Sequence, residues 1–250
     1  MEFANIMYEM RNLLLRPLVL SSIFIFVVIG LFVSFNLIPV CFVGITLPAM
    51  VGSSSIIFTA IFPLVVIYLA YVNFARSRLE GSLEQILVTP AMSSSVFISR
   101  MVAGTMVLLI SVAVYTLALG FFIWSFFIGV ITTELQGLLL FILFNFLELL
   151  SLYLIFMVVA FLSKNLEKYT LLSAILFAVF EGITILGNTF PNLNWLPYFF
   201  SPMGISESLS SLIMPGFVNP PPLAFWFIIP LWFVVPPIIG IKLYSLTDMP

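Results

Sequence analysis

The sequence predicts an all-α polytopic membrane protein, and three observations predict it. Of 250 residues, 63% are hydrophobic and only 7% are charged, against about 25% charged in an average soluble domain. The mean hydropathy is +1.29. The apolar runs are long and continuous, without the residue-by-residue alternation of a transmembrane barrel. Eight basic and ten acidic residues are too few to build a water-facing surface. A cytosolic enzyme is excluded on that ground. Disorder is excluded too, because it needs low hydrophobicity and high charge.

Single residue types remove further chemistry. The chain has no histidine, which excludes histidine-ligated haem, the usual zinc sites and any triad with an imidazole base. The one cysteine, Cys41, can form neither an internal disulfide nor a cysteine metal cluster. A net charge of -2 offers no basic patch for phosphates, so nucleic acid is not an expected partner.

The first element, residues 1–17, reads as an amphipathic helix. Phe3, Ile6, Met7, Met10, Leu13 and Leu14 share one face, and Glu2, Asn5, Glu9, Asn12 and Arg16 the other. Such a helix lies in the membrane interface with its apolar face buried, as an anchor that orients the first span. Its charges, and the lack of a short apolar region with a small-residue cleavage site, argue against a cleaved signal peptide.

Six segments then provide the roughly 20 apolar residues that a helix needs to cross about 30 Å of hydrocarbon. They are 18–38, 51–73, 101–127, 138–162, 170–190 and 223–243. Pro39 and Pro48 bracket the first turn, and the charged stretch 74–100 separates spans two and three. Gly129 to Gly137, Ser163 to Lys168 and the Pro/Asn/Ser-rich stretch 191–222 make the remaining breaks. With this count, all eight basic residues fall on one side. Random placement would do that about 1 time in 128, so the positive-inside rule puts both termini in the cytoplasm.

The cytoplasmic stretch 74–100 holds five charges. Within it, Leu79, Leu83, Ile86 and Leu87 follow an i, i+4, i+7, i+8 pattern, with Glu80 and Glu84 one turn apart on another face. The pattern predicts a short amphipathic helix, closed at Thr89-Pro90 because proline disfavours helix in the residue before it. Ser93, Ser94 and Ser95 are candidate N-caps for the helix that becomes span three. The apolar face must rest on the membrane interface, on neighbouring helix ends or in a groove of a partner.

The run Arg78-Leu79-Glu80-Gly81-Ser82-Leu83-Glu84-Gln85-Ile86-Leu87-Val88-Thr89-Pro90, followed by a serine-rich turn and Arg100, resembles the cytoplasmic loop of type-2 ATP-binding-cassette (ABC) transporter permeases. The N-terminal interfacial helix, the six spans and the long outer stretch also fit that family. There, the segment Leu196 to Met203 followed by Ile205 to Leu212 resembles the family's proline-rich segment and short amphipathic helix. The resemblance implies a permease subunit of an ABC exporter, one transmembrane domain spanning 1–250, paired with a second permease subunit, identical or related. Two copies of a separate cytosolic ABC ATPase would drive it. It implies that Glu80, Gly81, Leu83, Glu84 and Pro90 couple the loop to that ATPase. The chain itself has no G-x-x-x-x-G-K-[ST] phosphate loop, so it is not expected to be an enzyme or to hold a cofactor; ATP belongs to the partner.

Two carboxylates fall deep in the spans: Glu148 in span four and Glu181 in span five. A charge at that depth costs about 2.5–3.5 kcal/mol on insertion scales. No Lys or Arg lies at similar depth, so each acid is either protonated or faces a wet cavity. Asn145 lies three residues from Glu148 on the same helical face, a possible polar stripe. Three readings compete: a transport path, hydrogen-bonded packing of helices, or proton carriage in an ion-coupled secondary transporter or channel. The family's placement of span five near its central path favours Glu181 over Glu148 as a path residue.

The remaining features have simpler readings. Asn36 and Asn188, near outer helix ends, are expected to be satisfied by interface water. Trp124, Trp195 and Tyr198 suit an outer aromatic belt and Tyr244 an inner one. Pro230, Pro236 and Pro237 should bend span six. Residues Phe199, Phe200, Ile205, Leu209, Leu212, Ile213 and Met214 make 191–222 too apolar for a free outer loop, so re-entrant or interfacial helices are expected there. The aromatic, nearly uncharged interior points to an amphipathic or lipid-like substrate.

Overall fold

A computed structural model describes residues 2–37, 47–76, 93–127, 135–163, 165–213 and 221–246. Among them there is no strand, and six helices are long and apolar enough to cross a membrane. The chain is an all-α polytopic membrane protein.

Helix α1 (Glu2–Leu14) stops short of Pro17, which opens α2 (Pro17–Leu37). Proline lacks an N–H and has a helical φ, so the first helical position suits it. The apolar face of α1 rests mainly on α5 (Ser93–Phe127) rather than on span one. Leu13 is buried there, while Met7 and Tyr8 remain exposed.

Span two, read from the sequence as one run over 51–73, is built in three pieces. These are α3 (Leu47–Ser54), α4 (Ile56–Ala70) and a π-helical turn, Tyr71–Ala75. The interruption at Ser55 follows from hydroxyl chemistry. Ser55 Oγ donates to the Val51 carbonyl at 2.7 Å and accepts from Tyr115 Oη at 3.0 Å. Ser54 and Ser34 share a hydrogen bond of 2.6 Å between hydroxyls. Serine back-bonding of this kind bends helices. Below the bend, Phe58 stacks on Tyr115, with ring centroids 4.0 Å apart.

Helix α5 starts at the serine triplet, two turns before the apolar run that marked span three. Helices α6 (Leu135–Leu162) and α7 (Leu166–Thr189) follow. The start of α7 is fixed by Asn165, whose side chain accepts from the Lys168 N–H at 2.9 Å. A 3-10 turn, Pro191–Leu193, leads to α8 (Leu196–Phe200) and α9 (Gly204–Ile213). The last helix, α10 (Phe225–Leu246), runs unbroken through Pro230, Pro236 and Pro237.

Helix α6 is the centre of the bundle, packing against α4, α5, α9 and α10. Of the span-four helix, 56% is buried by the rest of the chain, against 17% of span five and 11% of span six. Most of α7 and α10 is therefore left for lipid or another chain. The contact between α5 and α6 is close at Gly104, where the Tyr153 hydroxyl and ring occupy the space a Cβ would need.

Between spans five and six, α9 lies against α6. Gly204 makes this possible, since the Pro197 and Tyr198 backbone passes where its Cβ would be. Ile205 is fully buried and Phe199 partly so, but Phe200 stays exposed at the edge of Trp195. Tyr198 differs from the expected lipid-facing belt: it is buried, its ring 5.3 Å from that of Phe225. Trp124 and Trp195 are exposed as a belt requires. The side chains of Leu209, Leu212, Ile213, Met214 and Tyr244 lie outside the described residues.

Candidate functional site

Two polar centres are buried in this apolar bundle. The first is at the end where α1 packs. An α-helix over residues 71–75 would spread its side chains by 100° each; the π turn inserts one extra residue and turns Asn73 inward. Asn73 Nδ2 donates to the Arg100 carbonyl at 2.7 Å and to Tyr153 Oη at 2.7 Å. Arg100 Nη1 donates back to the Asn73 carbonyl at 3.1 Å. Arg100 Nε also lies 3.9 Å from Glu9 Oε1 on α1. Phe74, Phe97 and Phe161 surround the network with ring contacts of 5.6 to 5.8 Å.

This clasp joins four elements: α1, the π turn, α5 and α6. It also ties together the two stems of the stretch 77–92. The five residues singled out for coupling, Glu80, Gly81, Leu83, Glu84 and Pro90, belong to that stretch and lie outside the described residues.

The second centre lies where α9 meets α6 and α7. Glu148, on α6, is 2% exposed. Its Oε2 has no partner among the described residues, and the Ser206 hydroxyl of α9 donates to the Met203 carbonyl of its own segment at 3.0 Å. Glu207, next to Ser206, accepts from Asn188 Nδ2 of α7 at 2.7 Å. Glu181 of α7 is partly buried and acts electrostatically on both Glu148 and Glu207. Thr184, one turn from Glu181, also has a buried hydroxyl without a partner among the described residues.

Burial pushes the Glu207 carboxyl up to about 7; the Asn188 hydrogen bond opposes this and the charge of Glu181 adds to it. Burial and the nearby Glu207 raise the Tyr198 phenol as well. Glu207 therefore changes charge near neutral pH.

The structure thus brings Glu148 and Glu181 into one electrostatic group and adds Glu207. It does not bring in Asn145, whose Nδ2 donates to the Phe141 carbonyl of its own helix at 2.8 Å. Asn36 and Asn188, both expected to be satisfied by interface water, instead donate within the chain: Asn188 Nδ2 to Glu207 and Asn36 Nδ2 to the Phe32 carbonyl of its own helix. Two signals could have found the missing residues. Glu181, Thr184 and Asn188 are spaced i, i+3, i+7, which puts them on one helical face. Glu207 is the sole acid in the apolar stretch 191–222. No family model matches the chain, and no curated protein matches it.

Proposed function

We propose that the chain is the membrane subunit of an ABC exporter, carrying an amphipathic or lipid-like molecule across the cell membrane. Both termini and the stretch 77–92 face the cytoplasm in this reading. A separate ATPase subunit, present in two copies, supplies the energy, and a second permease subunit completes the path.

The observation that carries this reading is the clasp at Asn73 and Arg100. A loop that transmits force needs stems that cannot slide past each other. Here both stems are tied by reciprocal hydrogen bonds, and the tie extends to the central helix through Tyr153. Such a network, fully satisfied in a low-dielectric interior, is rigid. A push on residues 79–87 would then move spans two, three and four together, with α1.

The test is co-purification from detergent of the full chain with an ATPase that carries a phosphate loop, sought first in the neighbouring reading frame. Glu84→Lys reverses a charge in the stretch 77–92 and is expected to weaken the association by about tenfold or more. Transport that continues at full rate in cells without any ATPase partner would overturn the proposal. It would favour the ion-coupled carrier or channel that uses Glu148 and Glu181.

A further inference from the structure

We propose that span two carries a hinge at Ser55 on which α3 swings as a unit, and that two hydroxyl pairs, Ser54 with Ser34 and Ser55 with Tyr115, latch it in its present position. The proposal stands apart from the exporter reading and concerns the end of the bundle remote from the clasp. Ser55 lies 16 residues before Tyr71, where the π turn begins, or about 24 Å of helix.

The break is one hydrogen bond deep. In a continuous helix the Val51 carbonyl would accept the Ser55 N–H. Here that N–H turns to the Gly52 carbonyl at 3.1 Å, and the Val51 carbonyl takes the Ser55 hydroxyl at 2.7 Å instead. Ser55 has φ -94° and ψ 3°, in the sparsely populated region between helix and strand. An exchange of acceptors between one N–H and one hydroxyl would restore a straight helix. Hinges are built from a few element-terminal residues that absorb such a change in φ and ψ.

Packing differs on the two sides of the break. On one side α4 is fixed by rings. Phe58 stacks on Tyr115 at 4.0 Å and on Phe62 at 4.5 Å, and Phe26 of α2 meets both phenylalanines edge-on at 5.6 and 5.8 Å. On the other side α3 has no aromatic residue, and there is slack around it. A Cβ on Gly52 would meet only Phe141, at 3.9 Å, and one on Gly120 of α5, which faces Val51, would come no closer than 3.8 Å to anything. Interdigitated rings resist sliding, and small side chains with space around them do not.

The latches are directional. Ser34 Oγ gives its proton to the Gly30 carbonyl at 2.7 Å, so Ser54 is the donor in the 2.6 Å pair. Tyr115 Oη donates to Ser55 Oγ at 3.0 Å. One pair ties α3 to α2, the other ties the hinge residue to α5, and all four residues are buried. Helix α3 also touches α9, so its swing moves span two against the helix that folds back between spans five and six.

The experiment uses the full chain in lipid nanodiscs, without any ATPase and with Cys41→Ser, and measures spin-label distances by pulsed electron paramagnetic resonance. One label is on Ile185→Cys, exposed on α7. Its partner is Met50→Cys on α3 or, for the reference pair, Ile61→Cys, exposed on α4. A dominant and a minor distance are expected from α3, and one distance from α4. Ser34→Ala and Tyr115→Phe should each raise the ratio of minor to dominant by about two- to tenfold, the worth of one buried hydrogen bond, and leave the reference pair unchanged. Thr116→Val is the control. Thr116 is buried beside Tyr115 in sequence, and its hydroxyl has no partner among the described residues, so its loss should alter neither pair. All three replacements nearly keep the side-chain shape, so folded protein is retained. A single α3 distance untouched by both latch variants would overturn the proposal. So would equal broadening of the two pairs, or the same response to Thr116→Val. Because no ATPase is present, such a failure would leave the exporter reading untouched, and loss of ATPase association would leave the hinge untouched.

Discussion

Gly104→Val is expected to abolish accumulation of folded protein. Gly104 sits on α5 where Tyr153 of the central helix packs directly on its backbone. A Cβ there meets the tyrosine hydroxyl and ring, and neither can retreat easily. Tyr153 is fully buried, and its hydroxyl accepts from Asn73. Overpacking a close-packed interior costs about 1–3 kcal/mol for an added methyl group or two. Displacing Tyr153 also breaks the hydrogen bond to Asn73, for about 1–3 kcal/mol more. Domains are stable by only about 5–15 kcal/mol, so Gly104→Ala should already lower the melting temperature in detergent, and the valine should leave little monodisperse protein. Gly182→Ala is the control. A Cβ at Gly182 meets nothing within 4 Å, so that variant should accumulate like the parent.

Asn73→Leu is the second large effect. The side chain has nearly the same volume, so little cavity is made. The loss is in polar contacts: the Tyr153 hydroxyl loses its donor and the Arg100 carbonyl its short one, keeping only the Tyr153 hydroxyl at 3.5 Å. Two buried hydrogen bonds at about 0.5–1.5 kcal/mol each give a combined expectation of about 1–3 kcal/mol. Tyr153→Phe removes only one acceptor and should cost about 1 kcal/mol. Thermal unfolding in detergent measures both. Under the proposed function, Asn73→Leu expressed at low temperature should still bind the ATPase but hydrolyse ATP without moving substrate. Equal loss of hydrolysis and transport would assign Asn73 to folding alone.

The architecture was legible because a bilayer leaves few solutions. Backbone groups in hydrocarbon must be satisfied within the segment, so runs such as 101–127 and 138–162 announced their helices directly. Span ends were less legible: α5 begins at Ser93, two turns before the hydropathy of span three rises. The break at Ser55 was hidden for a related reason. Its hydroxyl is paired with Tyr115, 60 residues away, and no local pattern encodes that. The candidate site divided the same way. Glu148 and Glu181 stood out because charge is rare at their depth. Glu207 and Asn188 did not, since their meaning depends on α9 folding back against α6 and α7. The clasp was legible only as a basic residue before span three; Asn73 became visible through the π turn that buries it.

Photo-cross-linking from the loop tests the central claim most directly. Cys41 is the one cysteine, so in a Cys41→Ser background Leu83→Cys gives a single attachment point for a thiol-linked photoreactive group. In membranes of the transporting cell, the account predicts an adduct with a nucleotide-hydrolysing subunit, and a yield that changes between ATP-bound and nucleotide-free states. Adducts with lipid alone, in an assembly that still transports, would contradict it.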